Sequence, residues 1–270
     1  MSAPAAAAPA AALADARRAL AAPDRLRRAL LCAPAALAAV LAGCVTPPRR
    51  ELPQAVAPFS TLRALDGLPP GWEELVMRRD LPRTDYRVVT LDGRRVLRAS
   101  GHGASGLRCR LRVDPHAAPW LRWSWRTREV PLSMCVDRSE TDDSPARVAV
   151  AFDGDEQRLS MRDRALYELV QLITGERLAY ATLMYVWDGQ LPVGATANYA
   201  RTARIRYLVV ESGSARAGRW LRYERDIVAD FRRLFAEEPG PVNSVGVLTD
   251  ADDLRLDLET WYGDIRMEPA

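Results

Sequence analysis

The chain runs to 270 residues yet contains no lysine, two histidines and four cysteines. His102 in "SGHGASG" and His116 in "DPHAAP" both sit in Gly- or Pro-rich turns, and no Gly-x-Ser-x-Gly elbow presents a serine. A hydrolytic triad therefore finds neither a fitting base nor a nucleophile. Zinc requires clustered histidine and cysteine ligands, which these few residues do not supply, and glycine-rich phosphate loops and EF-hand loops are missing too. No organic cofactor is expected. A charge excess is also absent from most of the chain. The formal net charge is +3, and five arginines against two aspartates within the first 43 residues account for all of it. The remainder is neutral, so nothing electrostatic points to nucleic acid as a partner. No apolar run reaches the roughly 20 residues that a membrane-spanning helix needs.

What is present begins with residues 25–48, "RLRRALLCAPAALAAVLAGCVTPP": an arginine cluster, an apolar run of about a dozen residues, small residues, then a cysteine and prolines. This is the layout of a secretory signal. The junction "LAGC", Leu41 to Cys44, resembles the bacterial lipobox, and the resemblance implies cleavage before Cys44 and lipidation of its thiol. Val45 in place of an aspartate implies sorting to the outer membrane. The expected organisation is a leader and lipoprotein signal peptide over 1–43, a Pro-rich tether over 44–58 and one β-sandwich domain over 59–270. Acyl chains on Cys44 would anchor that domain to the membrane, facing the periplasm. Cys32 leaves with the leader, so Cys109 and Cys135 remain as a candidate disulfide, with two free buried thiols as the alternative.

After the tether, period-two apolar runs recur: "YRVVTL", "RRVLRAS", "GLRCRLRV", "WLRWSWRT", "RVAVAF", "YATLMYVW", "IRYLVVES", "WLRYERD", "VNSVGVLT" and "WYGDIRM". Turn pairs such as Asp92-Gly93 and Asp153-Gly154 separate several of them. Many short strands without alternating helices indicate a mainly β protein, an antiparallel β-sandwich of jelly-roll or galactose-binding-like type. Two helical stretches interrupt the strands and are expected to cover a sheet. In "SMRDRALYELVQLITG" Ser160 caps, Asp163 follows three residues on, and Ala165, Leu166, Leu169, Val170 and Ile173 make the apolar stripe. In "RDIVADFRRLFAEEPG" the stripe is Ile227, Val228, Phe231, Leu234 and Phe235.

The blocks "GLPPGW", "PRTDYRVVTLDGRRVLRA", "WLRWSWR", "DDSPARVAVAFDGD", "ATLMYVWDG", "RIRYLVVESG", "RDIVADFRRLFAEEPG" and "VLTDADD" resemble the bacterial proteins grouped as domain of unknown function 3047. That resemblance implies a galactose-binding-like or lectin-like sandwich and assigns no activity. At Asp252-Asp253-Leu254 the chain departs from the family's run, which is nearer Asp-Asn-Thr.

Three functional readings fit these residues. In the first, the sandwich binds an envelope glycan. In "ARVAVAFDG" Val148, Val150 and Phe152 point one way, while Arg147, Ala149 and Ala151 form a small second face able to floor a groove. Asp143 and Arg147 would fix hydroxyls, and Tyr185 and Trp187 would stack a sugar, with Trp187 exposed before Asp188-Gly189. Trp123 and Trp125, on one face of their strand, are read as core. In the second, two carboxylates from the candidates Asp142, Asp143, Asp250, Asp252 and Asp253, such as Asp143 with Asp252, pair for glycoside cleavage. In the third, the surface serves envelope assembly and recognises a protein. Asp250, Asp252 and Asp253 are candidate ligands for a structural calcium ion, with turn-capping as the alternative.

Overall fold

In the computed structural model, which describes residues 52–63, 67–76 and 80–270, the alternating runs become thirteen strands in two sheets. One sheet has the order β1-β4-β11-β6-β7-β9-β8, built from β1 (Trp72–Val76), β4 (Ser105–Val113), β6 (Ser144–Phe152), β7 (Ala181–Asp188), β8 (Thr196–Asn198), β9 (Ile205–Ser212) and β11 (Val242–Asp250). The other has the order β10-β5-β12-β3-β2, from β2 (Asp85–Leu91), β3 (Arg94–Gly101), β5 (Trp120–Thr127), β10 (Leu221–Asp226) and β12 (Leu258–Tyr262). A last short strand, β13 (Arg266–Glu268), pairs with β5. Every pairing is antiparallel except β7 with β9, which run parallel because the chain leaves β7, forms β8 at the far edge and returns into the slot between them. The leader, the expected lipidation site Cys44 and the first part of the tether lie outside the described residues. The end of that tether is fastened to the body: the Arg112 amide donates to the Pro53 carbonyl, and Val56 is buried.

Between the sheets the alternating residues interlock as the pleat requires. Val148, Val150 and Phe152 face inward from β6, as their spacing indicates. Trp123 and Trp125 face inward from β5, also as read from the sequence, and Trp123 lies between Tyr185 at 5.0 Å and Tyr223 at 5.2 Å.

Two helices complete the layers. In α2 (Ile227–Phe235), Asp226 caps the Val228 and Ala229 amides, and all five residues of the expected stripe are buried. Phe231 stacks on Phe235 at 4.5 Å and meets Phe152 at 4.7 Å, joining the helix to the core of the larger sheet. The other helix, α1 (Met161–Thr174), starts at the Ser160 cap as expected but is rotated from the expected stripe. Its buried residues are Asp163 and Tyr167, while Ala165, Leu169 and Ile173 are exposed. Polar anchors set this rotation: Thr202 donates to Asp163 at 2.6 Å, and the Tyr167 hydroxyl donates to the Ala179 carbonyl at 2.9 Å.

Cys109 and Cys135 are both buried and unbonded, which takes the free-thiol alternative. Burial raises the Cys109 thiol, and burial together with the Asp137 carboxylate pushes Cys135 up to about 11. A thiol so protonated and covered is a poor nucleophile at neutral pH. A chain starting at Val45 should thus release no chromophore from a disulfide thiol reagent while folded. Unfolding it without reductant should expose two reactive thiols per chain; a count of zero would mean a disulfide. In urea unfolding, Phe231→Ala should cost about 3–5 kcal/mol, whereas Leu172→Gln, on the exposed face of α1, should change stability by under about 0.5 kcal/mol.

Candidate functional site

The register of β6 against its neighbours decides which expected site residues meet. Arg147 pairs with Val186 of β7 and Leu248 of β11, so it shares the outer face with Val186. Tyr185 and Trp187 flank Val186 and therefore point through the sheet to the inner face. The expected quartet of Asp143, Arg147, Tyr185 and Trp187 is divided by the sheet itself. Trp187 is 0% exposed, and its indole donates to the Gly213 carbonyl at 2.9 Å. Tyr185 is equally buried, with its hydroxyl bonded to Asp230 at 2.9 Å. Neither ring can stack a sugar, and the expected exposure of Trp187 is corrected: a β-strand buried on both faces leaves no platform.

Asp143 and Arg147 do come together, in an acidic cluster where β6 begins and β11 ends. The Arg147 guanidinium, 3% exposed, donates to the Asp142 carboxylate at 3.0 Å and lies 3.6 Å from Asp250. It also sits 5.2 Å from the Tyr207 ring centroid, and the Tyr207 hydroxyl donates to Asp142. Asp143 accepts the backbone amides of Asp253 at 3.3 Å and Leu254 at 2.8 Å. Oxygens of Asp143, Asp250 and Asp252 lie within 4.8 Å of one another. Of the expected metal candidates, Asp250 and Asp252 are thus in the cluster with Asp143, and exposed Asp253 sits beside it.

The electrostatics follow from burial among like charges. Burial raises Asp142, Asp143 and Asp250, most strongly Asp250, against the opposing pull of Arg147. Asp253 is pushed up to about 6 by burial and by Asp252, Asp143 and Asp142. As a glycosidase pair Asp143 and Asp252 fit poorly, because Asp143 is 0% exposed and both its oxygens hold backbone amides. A substrate has no way to reach it. Asp142, one of the carboxylates read from sequence as a cleavage candidate, instead completes the Arg147 shell together with Tyr207, which went unread because no local pattern links it to Asp142.

A different concavity lies on the outer face of the smaller sheet. The run "WYGDIRM" reads as one strand but breaks at Gly263. There the amide donates to the Ser124 carbonyl at 2.9 Å, and a side chain would collide with Ser124, a Cβ lying 2.2 Å from its Oγ. The chain resumes as β13 on β5, leaving β3 without that neighbour. The result is a groove of about 590 Å³ floored in part by Val96, Ser124 and Gly263, with half-buried Trp220 in its lining. Arg122 in its wall pairs with Glu224 at 2.6 Å and with Glu268, and Arg266 pairs with Asp264 at 3.0 Å. Arg94, Arg95 and Arg222 also line the groove and have no hydrogen-bond or ion-pair partner among the described residues. None of these was singled out from sequence; the outward positions of "RRVLRAS" and "WLRYERD" were the available signal.

A family model described as "Protein of unknown function (DUF3047)" matches residues 70–266. The chain belongs to this family. No curated protein matches it. Similar solved structures include a cleaved adhesin domain of Lys-gingipain from Porphyromonas gingivalis, 8% identical over 80% of this chain and 98% of that one, with a TM-score of 0.36. Another is the family 11 carbohydrate-binding module of a cellulosomal cellulase from Clostridium thermocellum, at 13% identity, 77% and 93% coverage and a TM-score of 0.34. The Emp47p carbohydrate recognition domain stands at 12% identity, 80% and 96% coverage and a TM-score of 0.38. Scores this low mark a general likeness and carry no functional argument.

Removing Arg147 should strand the carboxylates it faces. Arg147→Met is expected to cost about 3–5 kcal/mol in urea unfolding. Adding Asp250→Asn should recover part of that loss, and full additivity would show that the two residues do not interact.

Proposed function

We propose that this family member is an envelope lipoprotein, anchored through Cys44 at the outer membrane on its periplasmic side, whose sandwich binds an acidic glycan in the groove of the smaller sheet. The observation that carries the reading is the combination, in one groove of about 590 Å³, of the Trp220 ring with three guanidiniums, Arg94, Arg95 and Arg222, that have no partner among the described residues. The volume lies in the range of small-ligand sites. An indole offers an apolar face to sugar C–H groups. Unpaired arginines suit carboxylate or phosphate substituents, which they grip through two parallel N–H donors. The Arg122 and Arg266 ion pairs stiffen the walls and supply carboxylates for sugar hydroxyls. The groove replaces the quartet expected from sequence as the binding face, because its side chains are open to solvent.

A second reading, an assembly role through protein contacts, is favoured by the exposed apolar face of α1, where Met161 is 87% and Leu172 84% exposed.

Titration calorimetry against oligosaccharides bearing uronic acid or phosphate, with neutral oligosaccharides beside them, tests the glycan reading. Acidic glycans should bind and neutral ones should not, with affinity falling as salt rises. Trp220→Ala and Arg222→Ala should each weaken binding at least about tenfold with unfolding unchanged. Binding that survives both substitutions, or a panel with no binding at all, refutes the groove.

A further inference from the structure

At the acidic end of β6 and β11 the aspartates 142, 143, 250, 252 and 253 gather beside the one buried guanidinium of Arg147. Arg147 acts on Asp142, Asp143, Asp250 and Asp253, and its shortest ion pair goes to Asp142. The oxygens of Asp143, Asp250 and Asp252 lie within 4.8 Å of one another. Ligands on one sphere of calcium–oxygen bonds, about 2.4 Å in radius, span no more than about 5 Å. A separate observation points the same way. Asp250 is 5% exposed; its Oδ2 faces Arg147 at 3.6 Å, while its Oδ1 is buried with no hydrogen-bond partner among the described residues. A buried carboxylate oxygen without a donor is costly, and a cation is the partner that removes the cost without a proton.

We infer that Asp143, Asp250 and Asp252 bind one calcium ion. The donor set is all oxygen, which suits a hard cation and not a thiolate- or imidazole-seeking metal. Calcium takes six to eight oxygens in irregular arrangements and completes its shell with water, whereas magnesium holds out for a tight octahedron and gives up water reluctantly. Asp252 is half-buried and Asp253 exposed, so the cluster opens to solvent on the side of the 251–257 loop. There an ion can enter and keep water ligands. Asp143 already holds the amides of Asp253 and Leu254, and a bound ion would tie the same loop to the start of β6 through Asp252. This site stands on the far side of the fold's logic from the glycan groove and does not depend on it.

The test is thermal unfolding of the full chain, purified in mild detergent and stripped with a chelator, then titrated with calcium chloride or magnesium chloride at matched ionic strength. Calcium at a hundredfold excess over Kd should raise Tm by about 5–10 °C, with one ion bound per chain in equilibrium dialysis. Asp250→Asn and Asp252→Asn should each abolish the rise. A parent Tm indifferent to calcium, an equal rise with magnesium, or a calcium rise retained in both variants would overturn the assignment; Asp252→Asn decides alone if Asp250→Asn fails to fold.

Discussion

The aromatic layer between the sheets is the interaction on which the remaining structure depends. Trp123 lies stacked on Tyr185 from the facing sheet and on Tyr223 from its own, and Trp125 meets Trp187 at 6.3 Å. Large rings bury much apolar area each and fix the spacing of the sheets they join. Three of their polar ends find partners, Tyr185 at Asp230, which Arg225 also holds, Trp187 at the Gly213 carbonyl and Tyr223 at Glu211, while the Trp123 and Trp125 indole nitrogens are buried with no hydrogen-bond partner among the described residues. Because Asp230 belongs to α2, the same layer positions the helix that closes the core. The rings therefore serve the core, and functional groups have to be sought on the outer faces.

On those outer faces the fold treats charge in two ways. At the acidic cluster, Arg147 is taken out of water among carboxylates, where removing one partner leaves another uncompensated. Burial opposes ionisation of Asp142, Asp143 and Asp250 while the guanidinium favours it, so the cluster is held in tension. At the groove the ion pairs are solvent-exposed and individually weak, but they hold guanidiniums and carboxylates in fixed places around an open floor. The first arrangement crowds carboxylate oxygens within 4.8 Å of one another beside a loop; the second is an open groove with guanidiniums that have no partner among the described residues. Ion binding suits one and a larger polar ligand suits the other.

Much of the sandwich was legible because burial in a strand follows a period of two and in a helix a period near 3.6. Val148, Val150 and Phe152 read correctly, as did the whole stripe of α2 from Ile227 to Phe235. Parity between strands was not legible. Whether Arg147 shares a face with Tyr185 or with Val186 depends on a register set between residues about forty positions apart, and a slip of one residue reverses the answer. The rotation of α1 was hidden for a similar reason, since Thr202 and Ala179, which anchor it, lie beyond the helix in the chain. The meeting of Asp143 with Asp250 and Asp252 needed the pairing of β6 with β11, a contact that no local pattern encodes.

The groove shows how a defect in regular structure becomes a place for function. Had "WYGDIRM" continued as one strand, it would have paired β3 and β5 along its length and left a flat face. The run breaks at Gly263, where a Cβ would lie 2.2 Å from the Ser124 Oγ and that hydroxyl would have to turn away. The strand resumes on β5 alone, and Val96 of β3 becomes floor where a neighbour would have stood. Outward residues on either side, Arg94 from β3 and Arg222 from β10, then face the gap, and Arg95 joins them in the lining from the start of β3. Irregularities of this kind recur in sheets where a side chain must be re-aimed. The break between β12 and β13 thus leaves a concave, cationic surface on one face while the aromatic layer stays on the other face of the same strands.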